Sequence, residues 1–225
     1  MNRKILITPS VMCFHAWELP EYIKAFEEVG VDTIHFDVMD GHFVDNIMLG
    51  SSMYRDIIHL TKLPVDIHLM CHEPQRFLNY FKPRENDWVS FHPITCNHPY
   101  GLLQAIRDRG ARSGIALDPG TPIDCLEEVK SVLDFVLVMG VNPGFAGQTL
   151  VPDHFDKLKR ISLMLERLEL ELNLIVDGNT SVGNARKMHL AGANGFVVGT
   201  ASLIKGADYF RNNYLNYIES IKEEL

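Results

Sequence analysis

The chain has 225 residues, 46% hydrophobic and 22% charged, with a formal net charge of -8. This is a globular profile with enough apolar material for a large core, and an acidic chain without a basic block argues against a nucleic-acid or anionic-membrane partner. No apolar run approaches the ~20 residues that a membrane helix needs.

In chain order, short β-branched runs alternate with segments of helical period. The opening "MNRKILITPS" has too short an apolar stretch for a signal peptide. From Ile5 the run "ILITPS" reads as a strand, followed by the helical pattern "ELPEYIKAFEEVG" that stops at Gly30. Then come "TIHFDVM" from Thr33 with "SSMYRDIIHLTK", and "VDIHLM" from Val65 with "PQRFLNYF". The run "WVSFH" from Trp88 precedes "YGLLQAIRDRG", which ends at Gly110. After these, "SGIALDP" from Ser113 pairs with "IDCLEEVKSVL", and "FVLVMGV" from Phe135 with "PDHFDKLKRISLMLERL". The last two units are "LIVDG" from Leu174 with "SVGNARKMHLAG", stopping at Gly192, and "GFVVGT" from Gly195 with an amphipathic stretch from Ala207 to about Lys222. Glycine is the common C-terminal stop of a helix.

Eight strands apolar on both faces, alternating with eight helices, predict parallel βα repeats. In this length they predict an α/β fold closed as a (β/α)8 TIM barrel, with an open doubly wound sheet as the alternative. No linker composition divides the chain, so residues 1–225 are expected to form one domain. Cys13, Cys71, Cys96 and Cys125 show no C-x-x-C or zinc-finger spacing. They read as free thiols of a cytoplasmic protein.

In such a barrel, chemistry belongs at the C-terminal ends of the strands. Ser10 stands there, as do His35, Asp37, Asp40, Asp66, His68, His92, Asp118, Asn142 and Asp177. His35 and Asp37 are two apart and share one side of their strand. Burying both is costly unless each has a partner. His35, Asp37, His68 and Asp177 together make a His2Asp2 set for a divalent metal. For any one of them alone, local hydrogen bonding is the plainer reading; four at one barrel mouth favour the metal.

Three glycine-rich stretches follow the sixth, seventh and eighth strands: "VNPGFAGQ" at 141–148, "VDGNTS" at 176–181 and "VVGTAS" at 197–202. Loops after the last barrel strands, with a short helix N-terminus, commonly hold phosphate. None of the three contains Lys or Arg. Backbone N–H groups would therefore bind the anion, which reconciles a phosphate ligand with an acidic chain.

With "PSVMC", "HFDVMDGHFV", "DIHLM", "VNPGFAGQ", "VDGN" and "VVGT" in this order, the chain resembles the ribulose-phosphate 3-epimerase family. The match runs from Ile7 to about Leu203. The resemblance implies a (β/α)8 barrel that inverts carbon 3 of a ketose phosphate. It implies one divalent ion, zinc foremost, with iron, manganese or cobalt also accepted. By position, His35, Asp37, His68 and Asp177 match the family's metal ligands, and Asp37 and Asp177 its acid/base pair. Ser10 and His68 match substrate contacts. So do Gly144, Phe145, Ala146 and Gly147, then Asp177, Gly178 and Asn179, then Gly199 and Thr200. Met39, Met70 and Met139 match methionines lining the family's active site.

The chain departs from the family's common pattern at Asn179, often a second glycine, at Asp45, often proline, and at Gly140, often threonine. "SVMC" and "FHPIT" resemble the allulose-6-phosphate 3-epimerase branch, although that branch usually has glutamate where Ile94 stands. The expected substrate is thus D-ribulose 5-phosphate/D-xylulose 5-phosphate or D-allulose 6-phosphate/D-fructose 6-phosphate, acted on by a homo-oligomer without nucleic-acid or membrane partners. The alternatives are a catalytically inactive sugar-phosphate-binding barrel, which would be expected to lack one of the carboxylates, and another metal-dependent barrel enzyme. A Schiff-base aldolase needs a strand lysine, and no strand core supplies one.

Overall fold

Two-residue alternation sorts every strand into an inner and an outer face. The computed structural model describes residues 3–222. Its strands are β1 Leu6–Pro9, β2 Ile34–Asp40, β3 Ile47–Met48, β4 Val65–Met70, β5 Trp88–Phe91, β6 Arg112–Leu117, β7 Phe135–Met139, β8 Asn173–Asp177 and β9 Gly195–Val198. They form one sheet in the order β1-β9-β8-β7-β6-β5-β4-β2-β3, parallel throughout except for β2 with β3. A single β-bridge, Ser10 opposite His35, joins β1 to β2 and closes the ring.

The helices are α1 Leu19–Val29, α2 Ser51–Leu60, α3 Pro74–Phe81, α4 Pro99–Arg107, α5 Cys125–Glu128, α6 His154–Arg167, α7 Val182–Leu190 and α8 Ala207–Lys222. Outward strand residues such as Ile34, Phe36, Val38, Val136 and Val138 pack beneath them in the main core. Inward residues Trp88, Ala116, Phe135, Leu137, Ile175 and Val197 fill the barrel floor as a separate apolar layer. Small residues make room for the large ones. A Cβ on Gly114 would meet the Phe135 ring at 2.3 Å, and one on Gly195 would meet Ile175 at 2.7 Å. Above this dry plug the inward positions turn polar: Ser10, His35, Asp37, Asp66, His68, Ser90 and His92 are all buried. No described helix is long and apolar enough to cross a membrane.

The structure departs from the sequence expectations in four places. The ninth strand, β3, is the return arm of a hairpin after β2, and Asp40 is its anchor rather than part of the cluster below. Asp40 accepts the backbone N–H of His42 and Phe43 on Oδ1 and that of His72 on Oδ2. The segment "IDCLEEVKSVL" is α-helical only over Cys125–Glu128; the chain breaks at Val129 (φ -116°, ψ 8°) and resumes as a 3-10 turn over Lys130–Val132, with Val129, Val132 and Leu133 buried in the core. Gly30 (φ +71°) and Gly192 (φ +109°) stop their helices in the left-handed region, Gly192 and Ala193 N–H donating to the His189 and Met188 carbonyls, whereas Gly110 lies two residues past the capping residue Asp108. After β9 the chain makes a turn closed by Ser202 and Ile204 N–H donating to the Gly199 carbonyl, with no helix start before α8 among the described residues.

Candidate active site

Register places the polar residues in tiers. On β2 and β4, His35 is opposite Asp66 and Asp37 is opposite His68. His35 Nδ1 lies 2.8 Å from Asp66 Oδ2, and its Nε2 lies 3.1 Å from Asp37 Oδ1. From β8, Asp177 Oδ2 approaches the same imidazoles, 3.7 Å from His35 Nε2 and 3.8 Å from His68 Nδ1. His68 Nδ1 is also 3.4 Å from Asp37 Oδ1. Ser10 Oγ donates to Asp37 Oδ2 at 2.7 Å, so β1 fixes the second oxygen of that carboxylate.

The electrostatics follow from this crowding. Burial alone would lower the pKa of His35, but the charges of Asp37 and Asp66 override it and hold the ring well above its ordinary range. Burial pushes Asp37 up; the charge of His35 and its hydrogen bond outweigh it and hold the carboxyl well below the carboxylate range.

One ligand atom from each of His35, Asp37, His68 and Asp177 lies within 4.8 Å of all the others. Two imidazole nitrogens and two carboxylate oxygens suit a divalent ion. His68 Nδ1 makes no hydrogen bond although it is buried among carboxylates, which is costly for a polar atom left without a partner. A cation bound there would satisfy it. The set fits a divalent metal, with the Nδ1 of His35 held by Asp66 and its Nε2 turned inward.

Above the cluster opens a pocket. Ser10, Asp37, Met39, Met70, Met139, Gly144, Phe145, Ala146, Gly147, Asp177, Gly178, Asn179, Gly199 and Thr200 all line it. His35 and His68 lie beneath this wall, fully buried. Met39 and Met70 pack with Val44, Phe43 and Met48 into an apolar patch beside the carboxylates. No Lys or Arg is among the described residues of the lining.

The glycine loops are held open by side-chain amides. Gln148 Nε2 donates to the carbonyls of Asn142 (2.6 Å) and Phe145 (2.8 Å), and Asn46 Nδ2 to that of Gly144 (2.8 Å). Asn179 adopts φ +50°, a left-handed conformation that asparagine tolerates, and its Nδ2 donates to the Gln148 carbonyl at 2.9 Å. Asn184 Nδ2 holds both the carbonyl and the Oδ1 of Asn179 at 3.0 Å. Gly140 has no room for the family's threonine here, because a Cβ would stand 2.7 Å from the Gly178 carbonyl oxygen.

Asp66, His92 and Asp118 are read at strand C-terminal ends apart from the cluster, yet Asp66 is the second residue of β4, below the mouth, and all three connect to the cluster's imidazoles. Inward parity and register were the available signals: Asp66 is opposite His35, and His92 continues the inward line of Trp88 and Ser90. Cys13 and Gln148, which also line the pocket, carried no comparable signal.

Among solved structures, a tryptophan synthase α-subunit variant from Pyrococcus furiosus superposes with a TM-score of 0.65 at 15% identity, covering 96% of this chain and 97% of that one. Tryptophan synthase from Mycobacterium tuberculosis gives 0.65 at 14%, over 99% and 94%. These likenesses bear on the fold alone, and the fold is the (β/α)8 barrel. Its rim sets carboxylates from β2 and β8 beside buried imidazoles, at the end of the barrel where such folds carry their chemistry. The model of the Ribulose-phosphate 3 epimerase family matches residues 6–203. Named ribulose-phosphate 3-epimerases from Synechocystis sp. and Bacillus subtilis are each 38% identical, over 98% of this chain and 93% of the former, and 88% and 91% for the latter. The one from Escherichia coli K12 is 32% identical over 99% of this chain and 97% of its own length. The chain belongs to the ribulose-phosphate 3 epimerase family.

Proposed function

We propose that the chain inverts carbon 3 of a ketose phosphate, interconverting D-ribulose 5-phosphate and D-xylulose 5-phosphate. The observation that carries this reading is the convergence of Asp37 from β2 and Asp177 from β8 on one pocket whose other wall is cation-free glycine loops. Epimerisation needs a proton to leave one face of carbon 3 and another to arrive at the opposite face. One aspartate, as carboxylate, accepts the departing proton and becomes the acid; the other, entering as the acid, donates to the far face and becomes the carboxylate. The two protonation states are then exchanged, which readies the site for the reverse reaction.

A divalent ion held by His35, Asp37, His68 and Asp177, zinc foremost, would supply Lewis acidity to stabilise charge developing on the substrate oxygens. Ser10 steadies the Asp37 carboxylate through its 2.7 Å hydrogen bond. Met39, Met70 and Met139 offer no exchangeable proton and keep water from the reacting carbon. Backbone amides of the glycine loops hold the phosphate and so place carbon 3 between the carboxylates.

The test uses purified protein with ribulose 5-phosphate and allulose 6-phosphate, before and after chelation. Activity on the pentulose that chelator abolishes and metal restores supports the reading. Preference for the hexulose, towards which "SVMC" and "FHPIT" lean, would move the substrate while keeping the chemistry. Full activity in metal-free protein would sink the metal assignment.

A further inference from the structure

His68 has a second nitrogen, and its neighbours form a line leading away from the pocket. His68 Nε2 lies 3.0 Å from His92 Nε2, and His92 Nδ1 lies 3.0 Å from Asp118 Oδ1. The His68 and His92 rings are both fully buried, and Phe43 covers the His92 ring with centroids 4.8 Å apart. The far end is fixed. Asp118 Oδ1 also accepts from Thr121 Oγ1 at 2.7 Å, and Lys157 Nζ donates to the carbonyls of Asp118 (2.5 Å), Pro119 (3.2 Å) and Thr121 (2.7 Å), clamping the turn.

With His92 neutral, only one arrangement of protons satisfies this line. A carboxylate can only accept, so His92 Nδ1 carries a hydrogen. A neutral His92 ring then has its lone pair on Nε2 and can only accept there. His68 Nε2 must therefore carry the hydrogen, leaving the His68 lone pair on Nδ1, the atom beside Asp37 and Asp177.

We propose that His92 and Asp118 are positioning residues that fix His68 in the tautomer whose Nδ1 lone pair faces Asp37 and Asp177. This rests on the divalent-ion reading of the cluster. Without the line, His68 could carry its proton on Nδ1 and present no donor atom to a cation. The preference would be expressed as metal affinity, because outer-sphere partners that orient a histidine ligand commonly matter at about 10–100-fold.

The experiment strips the full-length protein with chelator and measures zinc affinity by competition with a chromophoric chelator, alongside circular dichroism. Cobalt(II) absorption spectra report the ligand field independently of activity. His92→Leu removes both hydrogen bonds and should weaken zinc binding by about 10–100-fold. His92→Gln can accept with Oε1 and donate with Nε2, and should restore most of that loss together with the wild-type cobalt spectrum. Should His92→Leu fail to fold, Asp118→Ala removes the acceptor that holds the His92 hydrogen on Nδ1 and should still weaken binding several-fold. Wild-type affinity in a folded His92→Leu, or in Asp118→Ala where that variant stands in, would overturn the proposal alone, as would a His92→Gln protein no better than His92→Leu. A wild-type protein that binds no zinc or cobalt would overturn the metal reading and this proposal with it.

Discussion

Replacing Gly178 by alanine tests the idea that backbone shape, not side-chain charge, builds the anion wall. Gly178 adopts φ +104°, and an added Cβ would stand 2.7 Å from Val141 Cγ2 and 3.2 Å from the Val141 backbone N. Holding an L-residue in that conformation costs on the order of 1–3 kcal/mol. Overpacking against Val141 costs about as much again. Some relaxation is shared between them, so about 2–5 kcal/mol is the working figure. A chain of this size loses about 2–4 °C per kcal/mol, which places the fall in Tm on the order of 10 °C. Because Val141 opens the loop that ends at Gln148, the same push should raise KM for the sugar phosphate more than it lowers kcat. Gly183 is the control: it sits exposed in α7 with nothing within 4 Å of a Cβ, and Gly183→Ala should leave KM alone. It should raise Tm slightly, by the ~1 kcal/mol that alanine gains over glycine in a helix. Thermal melting and a coupled spectrophotometric assay read both effects. Wild-type Tm and KM in Gly178→Ala would refute the reasoning.

Asp37→Asn and Asp177→Asn should each lower kcat by about 10²–10⁴-fold; metal content must be measured in parallel, and solvent deuterium should enter at carbon 3 and nowhere else. Free ribulose should be turned over at least about a hundredfold less efficiently than its phosphate, since remote binding energy is lost, while Lys205→Ala, outside the pocket lining, should change kcat/KM little. Acid should destabilise the fold through His92 and His154, which burial pushes from 6.5 down to about 4. Between those values the unfolded chain binds protons that the folded chain refuses, so stability held above pH 6.5 drains away as pH falls to about 4, by up to about 3 kcal/mol per ring. Urea midpoints measured from pH 7 to 4 check this, and His154→Leu should flatten the slope.

The barrel was legible because period-two apolar runs and helical segments alternate without interruption, and because strand burial on both faces leaves few other folds. The His2Asp2 cluster was legible for the same reason: His35 with Asp37, and His68 on the next strand, share the inward parity. What parity cannot reveal is which atom a side chain meets. Asp40 stands at a strand end like Asp37, yet its oxygens are consumed by three backbone N–H groups. The β2–β3 hairpin stayed hidden because β3 is two residues long, too short for any period. The early end of α5 stayed hidden because the segment keeps its apolar spacing past Val129 although the backbone does not. Gly199 was expected to be glycine for an anion's sake; its nearest constraint is Cys13, whose Sγ lies 2.9 Å from where a Cβ would be.

The seam between β1 and β2 has a consequence for how the molecule opens. Its single β-bridge, Ser10 opposite His35, lies where Ser10 grips Asp37 and His35 grips Asp66, so the ring is fastened at its mouth by the same side chains that face the ligand. Asp32 ties the far end of the seam, its N–H donating to the Ile7 carbonyl (3.3 Å) and its Oδ2 accepting from Ile7 N–H (3.0 Å), so the sparsely laced seam behaves as a strap with its buckle at the mouth. A ligand that engages Ser10 and Asp37 should tighten that buckle, so hydrogen exchange along β1 and β2 should slow on ligand addition well before exchange along β6 and β7 responds.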